Sequence, residues 1–599
     1  MTVIPSLPAE IHRTDSLNGG HVHISNDLDD VPIENFRPLR VVVIGAGFSG
    51  INAAIRIPQR LKNVDLSIYE KNPDIGGTWY ENRYPGCACD VPAHSYQYSY
   101  NPNRDWSGFY ASAEEIHGYL KSIAKTYSAE RFIKCNHRVL GCKWLADEGK
   151  WHITVCETIS QRTFVDKADV VISARGNLND IQWPDIEGLQ TFQGKLMHSA
   201  TWDKDVDLTG KTIGLIGAGS SAIQILPHLQ KAPQAQVKTF IRSKTWISRP
   251  FGIESMEKLG MESTKFSKEQ RERLLNDDEY YHEFRKQVER DANAVHFLTL
   301  RDSKMQHETR KLVEADMRQR LGKAPELADL ILPSFAVGCR RLTPGVGYLE
   351  ALQEPNVQVI STRIERVTPT GLQLVDQTHV DLDVLICATG FKTAKAPPFP
   401  ILGRGSVDMG MRFEPYPETY LSVAMDGYPN FFMILGPNSL VGTGSQTMIL
   451  EAELDYTIRC IRKLQRDNIQ AMEAKRERVK EFSDYIDKYF PQTVYLDDCS
   501  SWYRNENGRG GRITGLWPGS ALHAIETFRS PRWEDYEYEY MKDESGKPVS
   551  QLKWLGNGWT YAQRHGGDLA PYLKLEFLDT PAQPLPEETA KYSIWPFTY

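Results

Sequence analysis

Two glycine clusters carry the most specific chemistry in this sequence. Gly45-Ala46-Gly47-Phe48-Ser49-Gly50 follows the apolar, β-branched run Leu39-Arg40-Val41-Val42-Val43-Ile44 and precedes a helical stretch. Glycines at this spacing, between a strand and a helix, let the backbone approach a pyrophosphate held at the helix N-terminus. Glu70 ends the next short strand, 20 residues beyond Gly50, where a carboxylate can accept hydrogen bonds from a ribose diol. A bare strand-to-helix turn would need the glycines but neither the flanking pattern nor Glu70.

The second cluster, Gly217-Ala218-Gly219-Ser220-Ser221-Ala222, has alanine at the third small position, which the motif tolerates. Its downstream strand ends in Arg242-Ser243-Lys244 rather than in a carboxylate. Two cations and a hydroxyl suit a 2′-phosphate, so the reading is NADPH rather than NADH; the competing reading is a solvated basic turn. Two dinucleotide sites in one chain imply electron traffic between nicotinamide and flavin, leaving a disulfide, a quinone or oxygen as the acceptor. The lack of a Cys-x-x-Cys pair near the first cluster disfavours a disulfide reductase.

Two further stretches bear on the acceptor. Gly76-Gly77-Thr78-Trp79-Tyr80-Glu81-Asn82-Arg83-Tyr84-Pro85-Gly86-Cys87-Ala88-Cys89-Asp90 fits G-G-x-W-x-x-x-x-Y-P-G-x-x-x-D, and Phe192 to Asp203 fits F-x-G-x-x-x-H-x-x-x-W-[PD] through Phe192, Gly194, His198, Trp202 and Asp203. Together they resemble type I Baeyer–Villiger monooxygenases, from about Arg40 to Ser520. The resemblance implies FAD and NADPH as cofactors, no metal, and oxygen insertion beside the carbonyl of a small-molecule ketone. Its alternatives are oxygenation of sulfur or nitrogen, or a non-catalytic nucleotide-binding redox sensor.

Within Gly338-Cys339-Arg340-Arg341, the resemblance makes Arg341 the active-site arginine and gives Arg340 to the NADPH 2′-phosphate. A guanidinium is always protonated and multidentate, and suits an anionic oxygen adduct that must attack a carbonyl. Asp90 resembles the aspartate that lies near the flavin and orients that arginine. Trp502, in Cys499-Ser500-Ser501-Trp502-Tyr503, resembles the tryptophan of a loop that folds over bound NADP. Cofactor contacts are likewise implied for Gly77, Thr78, Trp79, Tyr96, Val139, Ser220, Ser221 and Gln224, and His198 is implied to serve domain arrangement. Ser173-Ala174-Arg175-Gly176 and Asp383 to Phe391 resemble the two crossings between domains, with Arg175 in the usual place of threonine.

These residues need two doubly wound α/β, Rossmann-like domains to position them. The expected order is an N-terminal extension over 1–40 and a first part of the FAD-binding domain over 41–185. The NADPH-binding domain follows over 186–385, with a charge-rich helical insertion at about 262–333, and the second FAD part with a C-terminal cover takes 386–599. At 599 residues, three or four folding units are expected.

Composition is globular, with 41% hydrophobic and 25% charged residues. A net charge of −7 without a basic tract argues against nucleic acid. The N-terminal forty residues lack a basic-then-apolar leader, and no run approaches about 18 apolar residues, so a soluble cytoplasmic protein is expected. The nine cysteines have no metal-ligand spacing and are expected as free thiols in a reducing compartment. The particular ketone and the oligomeric state are not encoded in any motif.

Overall fold

The computed structural model describes residues 31–33, 36–261, 263–393 and 395–573. Most of the expected N-terminal extension therefore lies outside the described residues.

β1 (Leu39–Ile44) is buried along nearly its whole length, as a Val/Ile run in a parallel sheet covered on both faces should be. Gly45 turns the chain into α1 (Phe48–Arg60), and the chain returns as β2 (Val64–Tyr69), parallel to β1 with Ile44 opposite Tyr69. Gly45 has φ +102, and a Cβ there would lie 2.8 Å from the Ala174 carbonyl oxygen, so the turn excludes larger residues. β3 (Ile133–Lys134) pairs with β2, and β4 (Val170–Ser173) pairs with the other side of β1. Between them the chain builds an antiparallel sheet from His137–Leu145, Lys150–Glu157 and Thr163–Ala168.

The pattern then repeats. β5 (Lys195–His198) leads to β6 (Thr212–Ile216), a glycine turn, α2 (Ser220–Gln230) and β7 (Gln236–Phe240). Gly217 has φ +132, with the Ala388 carbonyl 2.5 Å from any added Cβ, the same constraint as at Gly45. The following helices include α3 (Lys268–Asn276), α4 (Asp278–Ala294) and α5 (Lys304–Arg320). Each starts at a polar cap: Ser267 with a reciprocal Gln270 bond, Asp277 accepting from Tyr280, and Ser303 accepting from Gln306. β8 (Val357–Ile360) and β9 (Val384–Cys387) complete a parallel sheet of order β8-β7-β6-β9-β5.

β10 (Phe431–Met433) returns to the first sheet, giving the order β10-β4-β1-β2-β3, and α6 (Gln446–Arg466) begins after it. The two crossings between sheets touch each other: Gln182 N–H donates to Gly390 O at 2.9 Å, Lys392 N–H to Asp180 O at 2.9 Å, and Thr389 Oγ1 to Gln182 O at 2.6 Å.

Residues 38–464 and 469–541 form one compact unit that contains both sheets. Among the described residues, the other unit takes 31–33, 36–37, 465–468 and 542–573. Among its described residues, Ile33 N–H donates to Trp559 O and Asn557 N–H to Val31 O, both at 2.9 Å. No helix among the described residues is long and apolar enough to cross a membrane.

Candidate active site between the two nucleotide folds

A cleft of about 1770 Å³ runs between the two parallel sheets. A single ligand site usually measures about 300–1,000 Å³, so this space accommodates more than one ligand. Its walls include Thr78, Trp79, Asp90 and Tyr96 from the first fold and Gly217, Gly219, Ser220, Ser221, Gln224, Arg242 and Ser243 from the second. Arg340, Arg341 and Trp502 complete it.

Arg341 donates through Nε to Asp90 Oδ2 at 2.8 Å and through Nη2 to Asp90 Oδ1 at 2.6 Å. This two-point pair fixes the plane of the guanidinium, which a single-point contact cannot do. Asp90 holds the Arg341 pKa well above its ordinary value against the opposing effect of burial. About a third of the Arg341 side chain stays exposed, and it lines the cleft. Tyr503 is buried beside the Arg341 charge and lines the same cleft, and burial raises its pKa. No motif pointed to Tyr503; its place directly after Trp502 is the only signal in the sequence.

Arg340 donates to the Lys244 carbonyl at 3.0 Å. Burial, and then the charge of nearby Arg242, lower its pKa. Two cations held close together are suited to a dianionic group. Ser220 shares a 2.7 Å hydrogen bond with Thr343, while a Cβ at Gly219 would meet nothing within 4 Å, leaving the N-terminus of α2 open to an approaching phosphate. These features fit the diphosphate and 2′-phosphate of a nicotinamide dinucleotide. Gln224, expected to touch cofactor, has both amide atoms engaged by protein: Tyr84 Oη donates to Oε1 and Nε2 donates to Ala88 O, each at 2.9 Å.

The first fingerprint lies at the end of β1, outside the cleft walls. Glu70 is buried; Oε2 accepts from Ala46 N–H at 2.8 Å and Oε1 from Asn72 N–H at 2.9 Å, and burial raises its pKa. Each carboxylate oxygen keeps a second acceptor position for a ribose hydroxyl. Gly47 faces Gly77, with 3.6 Å between an added Cβ and the Gly77 Cα, and Gly50 sits in the first turn of α1. This bare-backbone cradle beside Glu70 fits a second dinucleotide. Trp79 donates to the Tyr96 hydroxyl at 3.2 Å, forming one cleft wall. Val139 is buried in the antiparallel sheet and does not reach the cleft.

The F-x-G-x-x-x-H-x-x-x-W-D motif also stands away from the cleft. Phe192 is buried in one apolar cluster with Leu385 and Cys387, Gly194 lies against the Asp383 carbonyl, and Trp202 packs on the core of the second fold. Asp203 pairs with Lys195. His198 is fully buried, accepts through Nδ1 from Ala200 N–H at 3.1 Å, and stacks edge-on with Trp183 and Phe391 at the two crossings. Burial pushes its pKa down to about 4, so it serves packing as a neutral ring. Arg175 pairs with Asp180 at 2.8 Å within the first crossing.

The cysteine expectation needs correction. Cys339 and Cys499 form a disulfide, although 160 residues separate them, because the fold brings their Cα atoms to 6.4 Å. Spacing along the chain carries no trace of such a long-range pair. Cys87, Cys89, Cys135, Cys142, Cys156, Cys387 and Cys460 are free. Burial raises the Cys87 thiol to about 11 and Cys89 higher still, so neither wall thiol is a ready nucleophile.

The fold and site define a two-dinucleotide flavoprotein architecture with an arginine–aspartate pair where its halves meet. A family model for an NAD(P)-binding Rossmann-like domain matches residues 43–113. The chain is 37% identical to the FAD-binding monooxygenase tazF of Aspergillus terreus over 90% of this chain and 95% of that one. It is 30% identical to a Baeyer–Villiger monooxygenase of Streptomyces coelicolor over 83% and 92%. Among solved structures, an oxidized steroid monooxygenase bound to NADP aligns with a TM-score of 0.71 at 26% identity, over 84% of this chain and all of that one. The chain belongs to the Baeyer–Villiger family of FAD-binding monooxygenases.

Proposed function

We propose that this protein uses FAD and NADPH to insert one atom of dioxygen beside a ketone carbonyl, giving an ester or lactone. The net reaction takes ketone, O2, NADPH and a proton to ester, NADP+ and water. The carrying observation is Arg341, held at two points by Asp90 and facing a cleft that also presents the Gly219 turn and the Arg242–Arg340 pair.

FAD on the Gly45–Gly50 turn would supply the redox and oxygen-activating chemistry, with Glu70 on its ribose. Arg341 cannot give up its proton at working pH, so it remains a donor toward negative charge developing on oxygen and on the attacked carbonyl. Asp90 sets the orientation of that donor. Arg242, Ser243 and Arg340 take the 2′-phosphate and select NADPH, while Trp502 and Tyr503 exclude water from the reacting centre.

The test is turnover of FAD-loaded enzyme with NADPH, a panel of ketones and isotopically heavy dioxygen. One heavy oxygen in the ester per NADPH oxidised is expected. Oxygenated thioethers with no ester from any ketone, or hydrogen peroxide as the sole oxygen product, would overturn the reading.

A further inference from the structure

Two short strips of the cleft wall are cross-linked behind their working faces. One strip is Gly338-Cys339-Arg340-Arg341, and the other runs from Cys499 to Tyr503. Gly338, Arg340, Arg341, Ser500, Ser501, Trp502 and Tyr503 all line the cleft, whereas Cys339 and Cys499 do not; they are buried and bonded to each other. Arg341 lies two residues from one sulfur and Trp502 three from the other, so the bond limits how far the tryptophan strip can move from the arginine.

Other contacts at this junction are weaker or lie beside it. Ala336 N–H donates to Asp497 Oδ2 at 2.7 Å, Arg504 donates to the Tyr495 carbonyl at 2.7 and 3.0 Å, and Thr393 Oγ1 donates to the Trp502 carbonyl at 3.0 Å. Individual hydrogen bonds of this kind open and close on the timescale of loop motion, whereas a covalent bond does not.

We propose that the Cys339–Cys499 disulfide is a positioning cross-link for oxygen transfer, fixing Trp502 and Tyr503 against Arg341 so that the cleft stays closed while oxygen is transferred; this rests on the oxygenase reading above. A small dithiol breaks the clamp in two exchanges. A thiolate attacks one sulfur, the S–S electron pair leaves on the other and takes up a proton, and the second thiol of the reagent then displaces the first cysteine, giving two cysteine thiols and one cyclic disulfide. Flavin reduction by NADPH does not depend on the clamp; retention of the closed state does.

The experiment uses full-length, FAD-loaded enzyme in four forms: native, reduced with a small dithiol and alkylated, Cys499→Ser, and Cys339→Ser with Cys499→Ser. Hydrogen–deuterium exchange over residues 497–508 reads the clamp without any turnover. Ester formed per NADPH consumed reads its consequence. Breaking the bond is expected to speed exchange in this strip and to lower ester per NADPH by roughly threefold or more, with the difference recovered as hydrogen peroxide and the flavin reduction rate held within about twofold. Dithiol is expected to change nothing further in the double variant. If the serine variants fail to fold, the reduced native enzyme supplies the same comparison. Exchange and yield that are identical in native and reduced enzyme, or alkylation of both cysteines in the native enzyme before reduction, would overturn the proposal. Exchange that responds to dithiol in an enzyme forming no ester would leave the clamp in place and sink the oxygenase reading instead.

Discussion

At the scale of single residues, the site presents a donor that cannot be titrated, held at two points by a carboxylate. Lysine at position 341 would keep the charge but offer a point donor on a flexible stem, with one contact to Asp90 where there are now two. Arg341→Lys is therefore expected to lower the rate of ester formation by about a hundredfold or more, in the range seen when a preorganised donor to a developing oxyanion is lost. NADPH-driven flavin reduction should stay near the parent rate, and stopped-flow reduction beside product analysis separates the two. Arg242→Ala and Arg340→Ala test a different function. Each is expected to raise the KM for NADPH by about tenfold while leaving that for NADH nearly unchanged, since only the former carries the 2′-phosphate. Equal losses with both nucleotides would mean that these arginines merely shape the wall. Arg242 was legible because it follows a strand in a fixed register. Asp90 lies 251 residues from Arg341, and only the family resemblance joined them. Tyr503 carried no spacing of its own, because a lone aromatic reads as packing until the fold places it beside the Arg341 charge.

At the scale of elements, the glycine turns were readable because few backbones can make them. Gly45 and Gly217 occupy positive φ against a neighbouring carbonyl, a constraint that leaves its mark on residue type. The working of α6 was not readable, because Glu453 looks like any glutamate on an amphipathic helix. In the fold it is fully buried, with Oε2 accepting from Leu435 N–H at 2.9 Å and Oε1 without a partner among the described residues. Leu435 has φ +58 and lines the cleft, so the helix props a strained segment of wall. Burial pushes the Glu453 pKa from 4.5 up to about 8. The folded state thus holds a proton that the unfolded state releases, and this contribution is full below pH 4.5 and lost as pH rises through about 8. By pH 7 the loss amounts to about 3 kcal/mol. Glu453→Gln retains the acceptor and removes the titration, so it should match the parent at pH 4.5 and denature at higher urea at pH 7–8. Glu453→Ala should instead be less stable at every pH, because Leu435 N–H loses its partner. A glutamine variant with the parent's pH dependence would show that the carboxyl is not held neutral.

At the scale of the whole molecule, α3 and α4 lie between β7 and β8 and so belong by chain order to the second nucleotide fold, yet they dock on the first, whereas α5 packs in the second through Met317. Phe109 N–H donates to Thr264 O at 2.7 Å, Phe266 N–H to Ser107 O at 3.1 Å, and Gln97 Nε2 to the Tyr281 hydroxyl at 3.1 Å. The sequence disclosed the helices through their charge-rich pattern, but not their docking partner, since the packed residues lie more than 150 positions apart. His94 sits in this seam, 1% exposed, ringed by Phe266, Tyr281 and Phe284, with neither ring nitrogen hydrogen-bonded among the described residues. Burial, and then the charge of Arg285, lower its pKa from 6.5 to about 3. Between those values the unfolded chain binds a proton that the folded chain refuses. The seam therefore keeps its full stability above about pH 6.5 and loses it progressively toward pH 3, with about 2 kcal/mol gone at pH 5. Phenylalanine fills the same aromatic cage and sacrifices no hydrogen bond. His94→Phe is expected to match or exceed parent stability at pH 7.5 and to gain on it steadily as the pH falls to 5, measured by urea denaturation across that range. Parallel loss of stability in the two proteins would place the acid-sensitive group elsewhere. A large loss at pH 7.5 would mean that the imidazole makes a contact on which the docking of the two folds depends.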